Sequence, residues 1–256
     1  IDLNSQIETV ASVSSSAASI YPRIDLGNGS LTLTGNGNYQ LGFATATQRA
    51  VITGSSTAAL KKQGSGTMIL VGDQGGGSIV QDLTLYIQSG ILDLQGWWKS
   101  PVRAEGGLLK GTAQAANVIA AGGDIAFDKF TATGFTNTGS GGNLIFALNG
   151  AVPGTGFPRV TVTGGFNLTG IQLQGSLDFL PRTDASFTLI DNNGPGPITG
   201  TFAGLPEGSL ITIGGQPFRI SYQGGPEGKD VVLYFVGKGY GLPEIVSVTK
   251  LPSSAV

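Results

Sequence analysis

Neither cysteine nor histidine occurs among the 256 residues. That double absence excludes thiolate nucleophiles, disulfides, imidazole metal ligands, histidine general bases and Ser-His-Asp triads. Charge is also scarce: 14 basic and 16 acidic residues leave a net charge of -2. The basic residues stand singly apart from Lys61-Lys62, so no nucleic-acid footprint is present. No apolar run approaches the roughly 18 residues of a membrane-spanning helix, and no spanning segment is expected. The chain opens on Ile1 without a leader, which suggests a processed or trimmed form. Lack of cysteine fits a reducing compartment or a bacterial exterior that does without disulfides. No cofactor is expected.

Glycine is what the chain has in excess, 43 residues, more than twice the usual share of about 7%. From Leu31 onward, short apolar pulses are cut by glycine: LTLTG (Leu31 to Gly35), MILVG (Met68 to Gly72), ILDLQG (Ile91 to Gly96), NLIFALNG (Asn143 to Gly150), LITIGG (Leu210 to Gly215) and VVLYFVG (Val231 to Gly237). Each alternates Leu, Ile, Val and Thr as a strand does, and ends on a residue that tolerates positive φ. Glycine breaks almost every window long enough for a helix. Two architectures share this grammar. An antiparallel sandwich or barrel would use Asn28-Gly29, Asn36-Gly37, Asn149-Gly150 and Asn193-Gly194 as hairpin turns. A parallel β-solenoid (β-helix) would place glycine at the corners of stacked rungs, and the irregular recurrence of pulses at roughly 10 to 25 residues favours it.

LKKQGSGTMILVGD (Leu60 to Asp73), followed by LYIQSGILDLQG (Leu85 to Gly96), resembles the autotransporter-associated β-strand repeat of secreted bacterial surface proteins. VRAEGGLLKGTAQAANVIAAGGDIAF (Val102 to Phe127) resembles the stacked Gly-Gly-x-Leu rungs that follow such repeats, and the stretch from Asn143 to Val236 resembles their closing module. The resemblance runs in order from about Leu60 to Val236. It implies an all-β chain: a right-handed parallel β-solenoid with a β-rich C-terminal module, no substantial helix, and export to the cell surface. Autotransporters also carry a membrane β-barrel, for which the 20 residues after Val236 are too short. A passenger-type fragment or a free-standing secreted subunit is therefore expected.

The chain divides into three regions: 1–26, a Gly-free N-terminal strand or cap; 27–236, the solenoid, with its closing module from about 157; and 237–256, a linker and strand. In the first, Ile1, Leu3, Ile7, Ala11 and Val13 alternate with polar residues at the period of a half-buried strand. A helical alternative uses Ser5 and Glu8 as a capping box with Val10, Val13, Ala17 and Ile20 on one face, weakened by its serines. In the last, Ile245, Val246, Val248 and Leu251 lie between Pro243 and Pro252. Either end can cap its own subunit, or add a strand to the next and so build a homo-oligomer or homopolymer.

Motifs that carry chemistry are thin. Asp124, Asp128, Lys129 and Arg103 are what a polysaccharide-degrading enzyme would have to enlist, but they form no motif. GGPEGKDVV (Gly224 to Val232) resembles a single calcium-binding repeat with one extra residue and a lysine, and reads better as a tight turn. Trp97-Trp98 offers a glycan platform or interface aromatic, although strand alternation turns one ring inward. The expectation is an extracellular bacterial structural protein without catalytic turnover, a subunit of an appendage, filament, sheath or matrix. An adhesin-type module for glycan or a surface is the alternative, and a polysaccharide-degrading enzyme the second.

Overall fold

The structure, a computed structural model, describes residues 1–14, 23–42, 51–72, 83–139 and 141–239. Among them there is no helix, and none that could cross a membrane. The first ten strands are short: β1 (Ile7–Val10), β2 (Arg23–Asp25), β3 (Ser30–Leu33), β4 (Tyr39–Leu41), β5 (Val51–Thr53), β6 (Ala59–Lys62), β7 (Thr67–Val71), β8 (Thr84–Ile87), β9 (Ile91–Trp98) and β10 (Val102–Ala104). Two long strands come next, β11 (Leu108–Ala120) and β12 (Asp124–Asn137). The remainder are β13 (Asn143–Leu148), β14 (Arg159–Val162), β15 (Gln172–Leu177), β16 (Ser186–Asn192), β17 (Leu210–Ile213), β18 (Gln216–Gly224) and β19 (Asp230–Phe235).

Parallel pairing orders these strands into three stacks. The first runs β1, β3, β6, β8, β10 and the ends of β11 and β12. The second runs β4, β7, the starts of β9, β11 and β12, then β13 and β15. The third takes the end of β9, the middles of β11 and β12, then β14 and β16. β2 and β5 form a separate parallel pair. Each loop of chain thus adds one strand, or rung, to a stack.

In-register stacking turns alternation into columns. In the first stack Leu31, Leu60, Leu85, Val102, Val118 and Phe135 lie one above another, all buried. The second aligns Tyr39, Met68, Leu92, Leu109, Ile125 and Leu144 in the same way. Each fully buried aliphatic or aromatic side chain contributes about 1.5–3 kcal/mol, so the core grows rung by rung.

Corners form a column too. Gly66, Gly90, Gly107, Gly123 and Gly142 each stand immediately before a strand of the second stack. A Cβ on Gly123 would lie 2.8 Å from the Gly107 carbonyl oxygen, and one on Gly107 2.8 Å from that of Gly90. Those carbonyls are in use: the Leu108 N–H donates to Gly90 and the Asp124 N–H to Gly107, both at 2.9 Å. Glycine is required here because successive backbones approach too closely for any side chain.

The parallel order ends at β16, which pairs antiparallel with β19, while β18 pairs antiparallel with β19 and with β17. β17 and β18 are joined through Gly214 and Gly215, at φ 55° and 76°, the geometry of a two-residue hairpin. None of the four Asn-Gly pairs expected as hairpin turns joins antiparallel strands among the described residues. They lie in corners and loops, where the Asn36 carboxamide oxygen accepts the Ser65 N–H of the next rung (2.9 Å).

Candidate functional site

The two ends of the stack form the candidate site. Residues 1–10 form the first rung. The Ile1 ammonium donates to the Arg23 carbonyl (2.9 Å), Asp25 N–H to Ile1, and Leu3 N–H to Asp25. Asn4 and Ser5, at φ 48° and 64°, then turn the chain into β1. Repetition explains the match: Ile1-Asp2-Leu3 recurs as Ile24-Asp25-Leu26, with Asp2 bridged to Asp25 in register. Each aspartate accepts the N–H two residues on, Asp2 from Asn4 and Asp25 from Gly27. Arg23, 2.8 Å from Asp25, holds its carboxyl below the usual range.

β1 is therefore a strand, but short and exposed rather than half-buried. Its register explains why. Glu8 and Val10 occupy the core-facing columns headed by Leu31 and Leu33, whereas Ile7 aligns with Ser30 on the outer face and is 79% exposed. The odd-numbered apolar face is thus the outer one at Ile7, while Leu3 and Val13 pack on the core and Ala11 is exposed. Ala17, Ile20, Ile245, Val246, Val248 and Leu251 lie outside the described residues.

β1 is bonded along one edge. Ser30 N–H donates to Gln6 and Thr34 N–H to Val10, so the parallel ladder spends the carbonyls of even residues and leaves the N–H and C=O of Ile7 and Thr9 facing away. No described strand pairs with that edge. An inward charge such as Glu8 is a known means of discouraging indiscriminate pairing at such an edge.

At the far end the antiparallel strands make a lid. β17 returns over β15, where Ile213 lies 3.0 Å from the position a Cβ on Gly175 would take. Phe187, Phe218 and Phe235 fill its inner face, with centroids 5.9 Å and 5.4 Å apart along the series. Its outer face carries Leu210, Arg219 and Tyr234 in one row, and beside them Val236. Two polar latches hold the lid. Asp230, whose burial raises its carboxyl, accepts the Asn192 N–H (2.9 Å). The Tyr222 hydroxyl donates to the Leu205 carbonyl (2.7 Å) and accepts the Phe202 N–H (3.0 Å).

Burial pushes the Tyr222 hydroxyl up to about 12 from 10.0. The unfolded chain loses that proton first as pH rises, so Tyr222 contributes stability fully below pH 10 and loses it on the way to about 12. Tyr222→Phe is expected to cost about 1–2 kcal/mol at neutral pH and to flatten the alkaline fall. Thermal melts of both proteins across that window check this.

The remaining candidates are dispersed. Trp98 is fully buried, its indole N–H donating to Gln95 (2.9 Å) above the small Ala115, so it offers no face to a glycan; Trp97, half-buried, points into the outer column. Arg103, in the first stack, binds Glu105 (2.7 Å), whereas Asp124, in the second, accepts from Asn143 (2.7 Å). Asp128 and Lys129 are exposed on β12. In the Gly224 to Val232 turn, Lys229 binds Glu227 and Gly194, and Asp230 serves the lid, so the segment works as a tight, latched turn. No known protein family, curated protein or solved structure matches the chain significantly.

Proposed function

We propose that this chain is a right-handed parallel β-solenoid of the autotransporter-associated repeat type, acting outside a bacterial cell as a structural subunit that polymerises end to end. The distribution of exposed apolar side chains carries this reading. Among the described residues Ile1, Ile7 and Val10 are exposed in the first rung, and Leu210, Tyr234 and Val236 on the lid. Leu180 follows β15, the last strand of the second stack, and Val152 alone lies on a lateral turn. Exposed apolar surface marks a contact site when it is gathered in this way. The ends differ, so the contact is heterologous and open, which generates filaments rather than closed dimers.

Backbone chemistry supports the same assignment. The free edge of β1 can accept a strand by β-augmentation, and Ile245 to Leu251, which follows the lid strands in the sequence, is the segment with strand composition to supply it. The repeat resemblance and the stacked parallel ladders support a mechanical role. Thr9→Pro tests the proposal, because it deletes an N–H on the open edge and none bonded to β3. Electron microscopy is expected to show filaments of the full chain and only monomers of Thr9→Pro, with unchanged melting temperature. A full chain that stays monomeric at every concentration, or a Thr9→Pro protein that polymerises equally well, refutes it.

A further inference from the structure

A groove of about 410 Å³ crosses the outer face of the first stack, from Ile7 in the first rung to Glu105 in the fifth. Its small members, Gly29 and Ala59, are buried, and Lys61, Tyr86 and Gln88 rise beside them half-buried. Lys61 and Tyr86 are direct neighbours in register, one rung apart.

One side of the groove is fixed by a polar chain running across rungs. Gln63 donates to Gln88 (2.8 Å), Gln88 donates to Glu105 (2.8 Å), and Arg103 donates to the other Glu105 oxygen (2.7 Å). Burial opposes the Glu105 charge, but the hydrogen bonds from Gln88 and Arg103 prevail and hold its carboxyl below the usual range. Both of its oxygens are thus engaged. Lys61 makes no close ion pair among the described residues and acts on Glu105 only through its field, so Lys61 and Arg103 against the one carboxylate leave the groove with an excess of positive charge. The Tyr86 hydroxyl and the Ser30 hydroxyl likewise have no hydrogen-bond partner there.

We propose that this groove binds an acidic polysaccharide lying along the stacking direction, with Tyr86 packing against a sugar ring and Lys61 holding a carboxylate. Chemistry selects that class. A tyrosine presents an apolar face with a polar tip, which suits the C–H face and hydroxyl rim of a pyranose. Ligand sites combine such a surface with a few placed polar groups. One lysine without a close partner is too little for a nucleic-acid backbone. Rungs repeat at about 4.8 Å, close to the advance of an extended sugar chain per residue, so successive sugars meet successive rungs.

The groove shares Ile7 with the proposed end-to-end contact, whereas Lys61 and Tyr86 lie outside that contact, and the test uses the full chain with alginate, a polyuronate, and dextran as the neutral comparator. Affinity electrophoresis is expected to show retardation by alginate and not by dextran. Lys61→Gln and Tyr86→Ala should each weaken alginate binding about tenfold or more, whereas Tyr86→Phe keeps it within about twofold, all three with circular dichroism spectra like the parent. No binding of alginate by the parent overturns the proposal. So does equal binding of dextran, or loss in Lys61→Gln without loss in Tyr86→Ala, which would reduce the site to a charge.

Discussion

Gly66→Ala is expected to destabilise the folded chain by about 3 kcal/mol, roughly 10 °C in melting temperature, while Gly37→Ala changes it by less than about 0.5 kcal/mol. The two glycines share one corner column, a rung apart. A Cβ on Gly66 would run into the carbonyl oxygens of Gly37 and Asn36, whereas one on Gly37 meets nothing within 4 Å. Backbone, unlike the end of a flexible side chain, cannot step aside without straining two rungs at once. Thermal and urea unfolding of the two variants check the contrast. Equal effects would mean that glycine serves only chain flexibility at these corners.

Lys62→Ala is expected to cost about 4 kcal/mol, and Lys62→Met about half of that. Lys62 is 1% exposed, in the core-facing column between Leu33 and Ile87. Its ammonium donates to the carbonyls of Gln63 (2.7 Å), Gly64 (2.8 Å) and Ser89 (3.5 Å), and lies 5.9 Å from the centre of the Tyr39 ring. Removing it strips donors from buried corner carbonyls; methionine restores the volume only. Burial lowers the Lys62 pKa from 10.5. Between the lowered folded value and 10.5 the unfolded chain holds more protons, so stability from this group rises with pH across that window, and below it the burial penalty is complete. Denaturant unfolding of the parent and Lys62→Met from about pH 7 to about pH 10 is expected to show the parent's advantage growing with pH. An advantage that shrinks would place a carboxylate-like partner on the ammonium.

The sequence is most informative where side-chain period and backbone demand coincide. Glycine before five strands of the second stack, the strand pulses, and one tryptophan in with its neighbour out are all direct consequences of alternation and close approach. Lys62 is hidden because its partners are main-chain carbonyls from two rungs, which leave no pattern in side-chain identity. The antiparallel lid is half visible: LITIGG names its strand and its turn, yet strand composition does not encode direction, and the stronger Asn-Gly signal elsewhere masks the hairpin at Gly214-Gly215. At the N-terminus, the alternation of Ile7 with Glu8 suggests an apolar face turned inward, and the structure reverses it. A terminal strand has only one neighbour to satisfy, so its period leaves the face undecided. The repeated Ile-Asp-Leu at Ile1 and Ile24 carries that information, because it fixes the register of the first rung on the second. The Lys61 and Tyr86 groove has no linear signature, since its residues meet only after stacking.

The proposed end-to-end assembly would make the first rung of one copy the neighbour of the lid of the next. Because the chain has no cysteine of its own, Ile7→Cys and Leu210→Cys proteins each carry a single thiol, and a bismaleimide linker bridges them only where the ends approach. Mixed in equal amounts, the two proteins are predicted to yield chiefly the crosslinked pair of unlike chains, with little product from either alone. Crosslinks confined to like chains, or none under conditions that give filaments, would contradict assembly through these two ends.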